Sequence, residues 1–460
     1  MIEPTAALSA VDPLAAEFSG ARPRFPGADR RAYQGVIDAY HGETGLPLDP
    51  RAAHALDTAW HEVRTGTQGA DYRDRDLYDK HQPLILRNLA ADRLFQRLRA
   101  PGGDLPGVRV DPGEVIVCPY SSTVLLEEAV ATLARPGGVL VCPEGYYKNA
   151  ESHVAKYGMR LVSSPSTADD RFAIDPDALA RCLEQHAHQG NLCGVLLTLP
   201  GNPVLTEYTV EELTAIGRVL AAARVPVICD MSFDLLSAAH VPIAALTVPT
   251  PGGPVRLYDR VLTITGNSKA FNAFGPCKLG AACTGDSAWL ARIEARLRVS
   301  FQRESTHLTR AVLEHTTPEY LAANRDRLRR RVDHARDLVA GINARAGSTV
   351  LRPLGSSDGM FLTVEFAPGP QLSARARTSA ELERLLLTEA GIECVALDRT
   401  GSSRLGVRFN VVAPRLGPGL ESPELLDELF DRLEGLLQRV WAVPVRGNAV
   451  PEHRIPVLAS

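Results

Sequence analysis

The chain has few lysines, no paired cysteine motif and no long apolar run. Its eight cysteines are scattered without a C-x-x-C pair, which argues against a zinc site and favours buried thiols in a reducing cytosol. No apolar run approaches the ~20 residues that a membrane-spanning helix needs. The first residues carry acids and prolines where a signal peptide would carry basic residues. We therefore expect a cytoplasmic protein with no membrane partner.

The charge of the chain gives no reason to expect a nucleic-acid partner, because the net charge is −4. Its 460 residues, of which 45% are hydrophobic, suffice for two domains with sizeable cores. We predict an N-terminal arm over residues 1–50 with a short helical piece near Tyr33–Tyr40, a large domain over 51–300 and a small domain over 301–460.

Lysine supplies only five of the 50 basic side chains: Lys80, Lys148, Lys156, Lys269 and Lys278. Lys269 follows a predicted strand, Val261–Thr265, which breaks at Gly266 into a loop interrupted by Gly and Pro. A primary amine against a desolvating wall has a lowered pKa and can form a Schiff base. The alternative is a loop lysine whose amine extends into solvent.

From residue 108 onward, short apolar segments alternate with helical or loop segments, which is typical of a parallel sheet covered on both faces. The predicted strands of this sheet are Val115–Cys118, Val139–Cys142, Arg160–Ser163, Gly194–Leu199, Val225–Cys229 and Val261–Thr265. Outside it we predict helices at 51–67, 83–99, 318–344, 379–390 and 423–441, and strands near 348–352, 360–365, 394–397 and 406–412. Ligands of such sheets bind beyond the carboxyl ends of the strands.

Residues able to hold a ligand follow five of these strands: Ser121, Ser122 and Thr123, then Tyr146, Asn202, Asp230 and Lys269. The hydroxyls begin a helix, where free N–H groups bind phosphate, and the tyrosine can stack on a flat ring. Each residue also has an ordinary structural explanation, such as a helix cap, a core aromatic or an Asn-Pro turn. Together they describe an aromatic aldehyde with a phosphate and a basic ring nitrogen.

Four ordered segments carry a resemblance to a known family. The segment Leu199–Leu213 resembles N-P-x-N-P-T-G-x-x-x-S-x-E-E-L, and Asp230–Phe233 resembles D-E-x-Y. Gly266–Gly280 resembles S-x-S-K-x-F…G-x-R-x-G, and Val407–Asn410 resembles V-R-x-S/N. From about Tyr78 onward the chain is similar to fold-type I pyridoxal-phosphate enzymes of the class I/II aminotransferase superfamily. A Rossmann-like binding protein is the alternative, but the chain lacks its G-x-G-x-x-G.

The resemblance implies an α/β fold with a mixed, mostly parallel seven-stranded sheet, a smaller α+β C-terminal domain, a homodimer and pyridoxal 5'-phosphate as cofactor. It implies that Lys269 carries the internal aldimine and moves the Cα proton, and that Asp230 keeps the ring nitrogen protonated. Arg408 would bind the α-carboxylate of an amino acid substrate. The other implied cofactor-binding residues are Ser121, Ser122, Thr123 and Ser268 at the phosphate, Tyr146 against the ring, Asn202 at the phenolic oxygen, and Tyr78 at the partner subunit's phosphate.

The chain also departs from the family pattern around the cofactor. Phe233 stands where the family has Tyr, Gly266 replaces a Ser, and Leu199 replaces an Asn. Cys277 occupies the spacing of the family's arginine, and Lys278 comes one residue later. Either the loop has one extra residue and Lys278 binds the phosphate as a point charge, or the phosphate is held differently.

Three kinds of function remain open. The first hypothesis is an aminotransferase. The second is a β- or γ-elimination or replacement enzyme of secondary metabolism, acting for example on S-adenosylmethionine. Decarboxylation and racemisation are further outcomes on the same scaffold. A sensor with this fold but no catalysis would need a basic winged-helix domain upstream, and residues 1–100 show no such pattern.

Overall fold

The computed structural model describes residues 35–99, 106–416, 420–421 and 425–441. Its strands are β1 (Ile37–Asp38), β2 (Val115–Pro119), β3 (Val139–Pro143), β4 (Arg160–Ser164), β5 (Leu192–Thr198), β6 (Val227–Asp230), β7 (Thr247–Thr250), β8 (Gly253–Arg256), β9 (Val261–Gly266), β10 (Leu279–Cys283), β11 (Leu351–Leu354), β12 (Phe361–Phe366), β13 (Ile392–Glu393), β14 (Val395–Ala396), β15 (Gly406–Asn410), β16 (Arg415–Leu416) and β17 (Leu420–Glu421).

A seven-stranded sheet in the order β2-β10-β9-β6-β5-β3-β4 forms the centre of the fold. Strand β10 is antiparallel to both of its neighbours, and the other neighbouring pairs are parallel. The six predicted strands are present, with ends within about two residues of the prediction. The seventh, β10, was wrongly predicted as part of a loop, because Leu279–Cys283 is rich in Gly and Ala and lacks β-branched residues.

The helices are α1 (Pro50–Thr65), α2 (Leu84–Leu89), α3 (Ser122–Leu133), α4 (Ala150–Ala155), α5 (Pro176–His188), α6 (Val210–Ala223), α7 (Ser287–Glu294), α8 (Arg303–His315), α9 (Pro318–Ala346), α10 (Pro370–Arg375), α11 (Ser379–Leu385) and α12 (Leu425–Trp441). The long α9 begins where the Thr317 hydroxyl accepts a hydrogen bond from the Tyr320 N–H, and it ends at Gly347 with φ 66°.

In the described part of the chain, no helix combines the length and apolarity needed to cross a membrane.

Three predicted helices differ from the observed structure, and one of them, predicted over 379–390, is α-helical only to Leu385 and continues as a π turn. The helix predicted over 83–99 is α-helical only to Leu89 and continues as a π turn and then a 3₁₀ turn. The helical piece predicted near Tyr33–Tyr40 is wrong for its described residues, because Ile37–Asp38 forms β1 and pairs with β13 and β16. Residues 1–34 and the tail 442–460 lie outside the described residues.

Separate hydrophobic cores lie on the two faces of the central sheet. In β5, Val195 and Leu197 belong to one core and Leu196 to the other, as expected for a strand that is buried on both faces. A further core packs β11, β12 and β15 against α9 and α12. Ile37 belongs to this last core, so the end of the proposed N-terminal arm packs with the proposed C-terminal domain. All eight cysteines are free thiols, and most are buried, as expected.

Candidate active site

The structure brings Lys269 and Asp230 together at one edge of the central sheet. Asp230 ends β6, and Lys269 lies three residues beyond the end of the adjacent parallel strand β9. The charges of the two side chains are close enough to shift each other's pKa towards the ionised forms. The order of the strands therefore places an amine and a carboxylate beside the same space.

Lys269 is half-buried, and its amine donates a hydrogen bond to the carbonyl of Gly42. Burial lowers the pKa of Lys269 to about 8, and the positive charge of Lys278 adds to the effect. A larger fraction of this amine is therefore unprotonated near neutral pH than for an exposed lysine. An unprotonated amine is the form that attacks an aldehyde.

We expect the apoprotein to form an imine with a small aromatic aldehyde at Lys269 with an apparent midpoint near the pKa of about 8. The yield should rise with pH and level off above that value, because only the neutral amine reacts. Free Nα-acetyl-lysine amide is the control, and its yield should keep rising to about pH 10. Reductive trapping at each pH, followed by mass spectrometry of the peptide and of the free derivative, measures both amines. Identical pH profiles for Lys269 and the free lysine derivative would contradict the lowered pKa.

Ser232 orients the Asp230 carboxylate. The Ser232 hydroxyl and N–H donate to Oδ1 of Asp230 at 2.6 and 3.0 Å. Within the described chain, no residue donates a hydrogen bond to Oδ2. Burial raises the pKa of Asp230 above its usual value, and the Ser232 donors and the Lys269 charge act in the opposite direction. One carboxylate oxygen is thus fixed while the other is left for a cationic partner.

The predicted phosphate-binding hydroxyls cluster at the start of α3. The Ser121 hydroxyl makes no capping hydrogen bond with a described residue, so the first N–H groups of α3 lack a side-chain cap. The Ser122 hydroxyl lies 3.1 Å from that of Ser232, and the Tyr120 N–H donates to the carbonyl of Lys278 at 3.1 Å. Lys278 and the start of α3 are therefore neighbours, as a shared anion site requires. Ser268 lies directly before Lys269, half-buried.

The Tyr146 hydroxyl lies away from Asp230, and its stacking on the cofactor ring stays a prediction. Its hydroxyl bonds Ser163 in β4, three strands away from Asp230, or about 14 Å at the usual strand spacing. The neighbouring Tyr147 does face the site. Its hydroxyl bonds Asn149 and Thr123, and the charge of Asp230 contributes to its raised pKa, after burial.

Arg408 is a buried guanidinium that faces the site from β15. Its Nη1 donates to Oδ1 of Asn202 at 2.8 Å, and its Nη2 donates to the carbonyl of Tyr40. The guanidinium lies 3.8 Å from the centre of the Phe361 ring, which in turn packs on Phe233. Burial lowers the pKa of Arg408 to about 10. Its Nε is buried without a partner among the described residues, so one donor of this guanidinium is unused.

Tyr78 lies outside this cluster. It is buried, and its hydroxyl lies 3.0 Å from Nδ1 of His307 and accepts a hydrogen bond from Arg310 at 3.3 Å. These partners belong to α8 of the same chain. The predicted contact of Tyr78 with the partner subunit's phosphate stays a prediction.

The segment Tyr40–Thr44 also lies at the candidate site, although its sequence places it in the predicted N-terminal arm. Its carbonyl groups bind Arg408, Lys269 and Asn410, and its Thr44 hydroxyl bonds Asn272. The segment thus covers the amine and the guanidinium together. Gly42 and Gly45 in His41-Gly42-Glu43-Thr44-Gly45 were the available signal for a close backbone approach.

The family model that matches this chain is that of class I and II aminotransferases, over residues 55–414. A curated relative, a probable N-succinyldiaminopimelate aminotransferase of Mycobacterium tuberculosis, is 29% identical over 242 residues. Another, 1-aminocyclopropane-1-carboxylate synthase 4 of Oryza sativa subsp. japonica, is 26% identical over 330 residues. These alignments cover 51% and 68% of this chain, but only 56% and 64% of the relatives' own lengths.

Solved structures agree on the fold. The aspartate aminotransferase of Thermus thermophilus with maleate superposes with a TM-score of 0.68 at 18% identity, covering 89% of this chain and 93% of that one. The N-succinyldiaminopimelate aminotransferase of Mycobacterium tuberculosis gives a TM-score of 0.66 at 24% identity, covering 87% and 93%. Both are proteins with the mixed α/β fold described above.

Proposed function

Because this chain belongs to the class I and II aminotransferase family, whose members use pyridoxal 5'-phosphate, we propose that it is an aminotransferase acting at the α-carbon of an amino acid. The observation that carries the proposal is the arrangement of Lys269, Asp230 and Arg408 around one space. An amine, a carboxylate and a guanidinium are the groups needed to hold the cofactor's aldehyde, its ring nitrogen and a substrate carboxylate.

The residues of the site fit this cofactor. The Lys269 amine has a lowered pKa, and Oδ2 of Asp230 has no donor from the described residues. The start of α3 and the nearby Lys278 would hold the phosphate, and Tyr147 would lie against the ring. The unpartnered Nε of Arg408 would bind the substrate carboxylate.

When bound, the cofactor supplies an aldehyde for the amine and a ring that takes up electrons. Lys269 would hold the cofactor covalently, and its freed amine would then take the Cα proton at Nζ. Asp230, held by Ser232, would stay ionised opposite the ring nitrogen. Asn202 would keep Arg408 in place through its Oδ1, and the Tyr40–Thr44 segment would exclude water above the amine.

A lyase-type elimination or replacement is the second candidate. The resemblance to a 1-aminocyclopropane-1-carboxylate synthase over 68% of this chain favours it, as does Phe233, which carries no hydroxyl to donate at the ring. The altered surroundings of the cofactor also support a place in secondary metabolism. We further propose the domain limits given above and a cytoplasmic location.

We propose a homodimer, because several large apolar side chains are exposed near the site and on helix α1. Trp60, Tyr120 and Phe274 are 51%, 59% and 54% exposed. The Tyr120 N–H donates to the carbonyl of Lys278, and Phe274 precedes the turn that ends at Lys278. A partner that covered these two side chains would therefore adjoin the predicted phosphate site. Light scattering of the purified protein measures this state directly.

The two reactions are separated by their products. We expect that the holoenzyme, mixed with amino acids and a keto acid, moves the amino group to the keto acid. S-adenosylmethionine in a parallel incubation should stay intact. Mass spectrometry of both mixtures gives the answer. Departure of a leaving group without amino transfer would replace the aminotransferase by the lyase, and no reaction with any amino acid would contradict both.

A further inference from the structure

Lys148 is a half-buried cation beside the candidate site that the proposed chemistry leaves unused. It follows Tyr147 in the loop after β3. Its amine bonds the Tyr40 hydroxyl, lies 4.2 Å from the centre of the Tyr40 ring, and lies 3.4 Å from Oδ1 of Asn149. No carboxylate of the described residues lies within 4 Å of it, whereas Lys156 is paired with Glu127.

Tyr40 connects Lys148 to Arg408. The carbonyl of Tyr40 accepts a hydrogen bond from Arg408, and its hydroxyl accepts one from Lys148. The two cations are therefore separated by about the length of one tyrosine. Asn149 links Lys148 to the other side of the site, because its Nδ2 donates to the Tyr147 hydroxyl at 2.9 Å.

The two acids that flank Tyr40 in the same segment already have partners. Glu43 is paired with Arg415 at 2.6 Å, and Asp38 lies 3.2 Å from His41. Neither of them forms an ion pair with Lys148 within 4 Å, and no other described carboxylate does. A partly buried cation without a counter-charge is unfavourable unless a ligand supplies one.

We propose that Lys148, together with the Tyr40 hydroxyl, binds a second acidic group of the substrate. The substrate would then be a dicarboxylic amino acid whose side-chain carboxylate lies several bonds from the α-carboxylate. This inference rests on the proposed function, in which Arg408 holds the α-carboxylate. A lysine suits the task as a mobile point charge, and a tyrosine hydroxyl can add a second hydrogen bond.

The test compares acids with amides of the same shape. Wild-type holoenzyme is assayed with glutamate against glutamine, and with aspartate and 2-aminoadipate to vary the length. We expect kcat/KM to favour glutamate over glutamine about 10- to 100-fold, as charged hydrogen bonds allow. In Lys148→Gln this ratio should fall to near one, and Tyr40→Phe should lower it in part. Lys156→Gln is the matched control, because Lys156 is exposed and paired away from the site.

Equilibrium binding gives a readout that does not depend on turnover. Glutarate and its monoamide, glutaramate, are titrated into wild-type and Lys148→Gln holoenzyme while the absorbance of the bound cofactor is followed. Tighter binding of glutarate that is lost in Lys148→Gln supports the anion site. Equal binding of the two ligands by the wild type, or an acid-to-amide ratio unchanged by Lys148→Gln, overturns it. Failure of every amino acid to react would instead contradict the proposed function, and the binding arm would still decide on Lys148.

Discussion

Replacing Lys269 with alanine will lower turnover at least about 10⁴-fold and abolish covalent attachment of the cofactor. Lys269 is a half-buried amine beside Asp230, and its pKa, lowered to about 8, provides neutral amine near neutral pH. Alanine offers neither a nucleophile nor a proton acceptor. Steady-state rates and the absorbance of the protein-bound cofactor measure the two effects.

Two variants control for this result. Lys269→Arg keeps a positive charge without an amine that can attack an aldehyde, so it should lose activity to a similar degree. Lys156→Ala removes an exposed lysine and should behave like the wild type. Circular dichroism checks that each variant is folded. Turnover within about tenfold of the wild type in Lys269→Ala would show that Lys269 is not the amine of the reaction.

Replacing Asp230 with asparagine will lower kcat about 10²- to 10⁴-fold while the protein stays folded. The amide keeps the shape of the carboxylate but not its charge, so it cannot hold a proton on the ring nitrogen. The Ser232 donors to Oδ1 would also meet the amide instead of the carboxylate that they stabilise. Turnover and the ¹⁵N chemical shift of labelled cofactor report the loss.

The matched control is Asp259→Asn, the same substitution at a surface carboxylate that pairs with Arg256. It should leave both kcat and the ¹⁵N shift as in the wild type. A ring nitrogen that stays protonated in Asp230→Asn, together with near-normal kcat, would refute the assigned role of Asp230. Cofactor binding measured in parallel separates a loss of chemistry from a loss of cofactor.

The strands that carry the site could be predicted from the sequence, because buried parallel strands are short apolar runs. That pattern placed Asp230 and Lys269 at strand ends, and the sheet order makes those ends adjacent. Strand β10 could not be predicted in the same way, because its Gly and Ala residues carry no strand preference.

Two features could not be predicted from the sequence. One is which of two adjacent residues faces the site, and the other is which residues far apart in the chain make contact. Tyr146 and Tyr147 are both aromatic, and only the path of the loop decides which of them faces Asp230. The bond between Tyr78 and His307 joins residues that are 229 positions apart. The Tyr40–Thr44 segment contributes mainly carbonyl groups, which every residue has, so side-chain type did not reveal it.

The most direct test of the central claim is to reduce the wild-type holoenzyme with borohydride and locate the cofactor by peptide mass spectrometry. We predict that the pyridoxyl group is on the peptide that contains Lys269, at about one group per chain. A label on another lysine, or no label on a protein that retains its cofactor, would contradict the account.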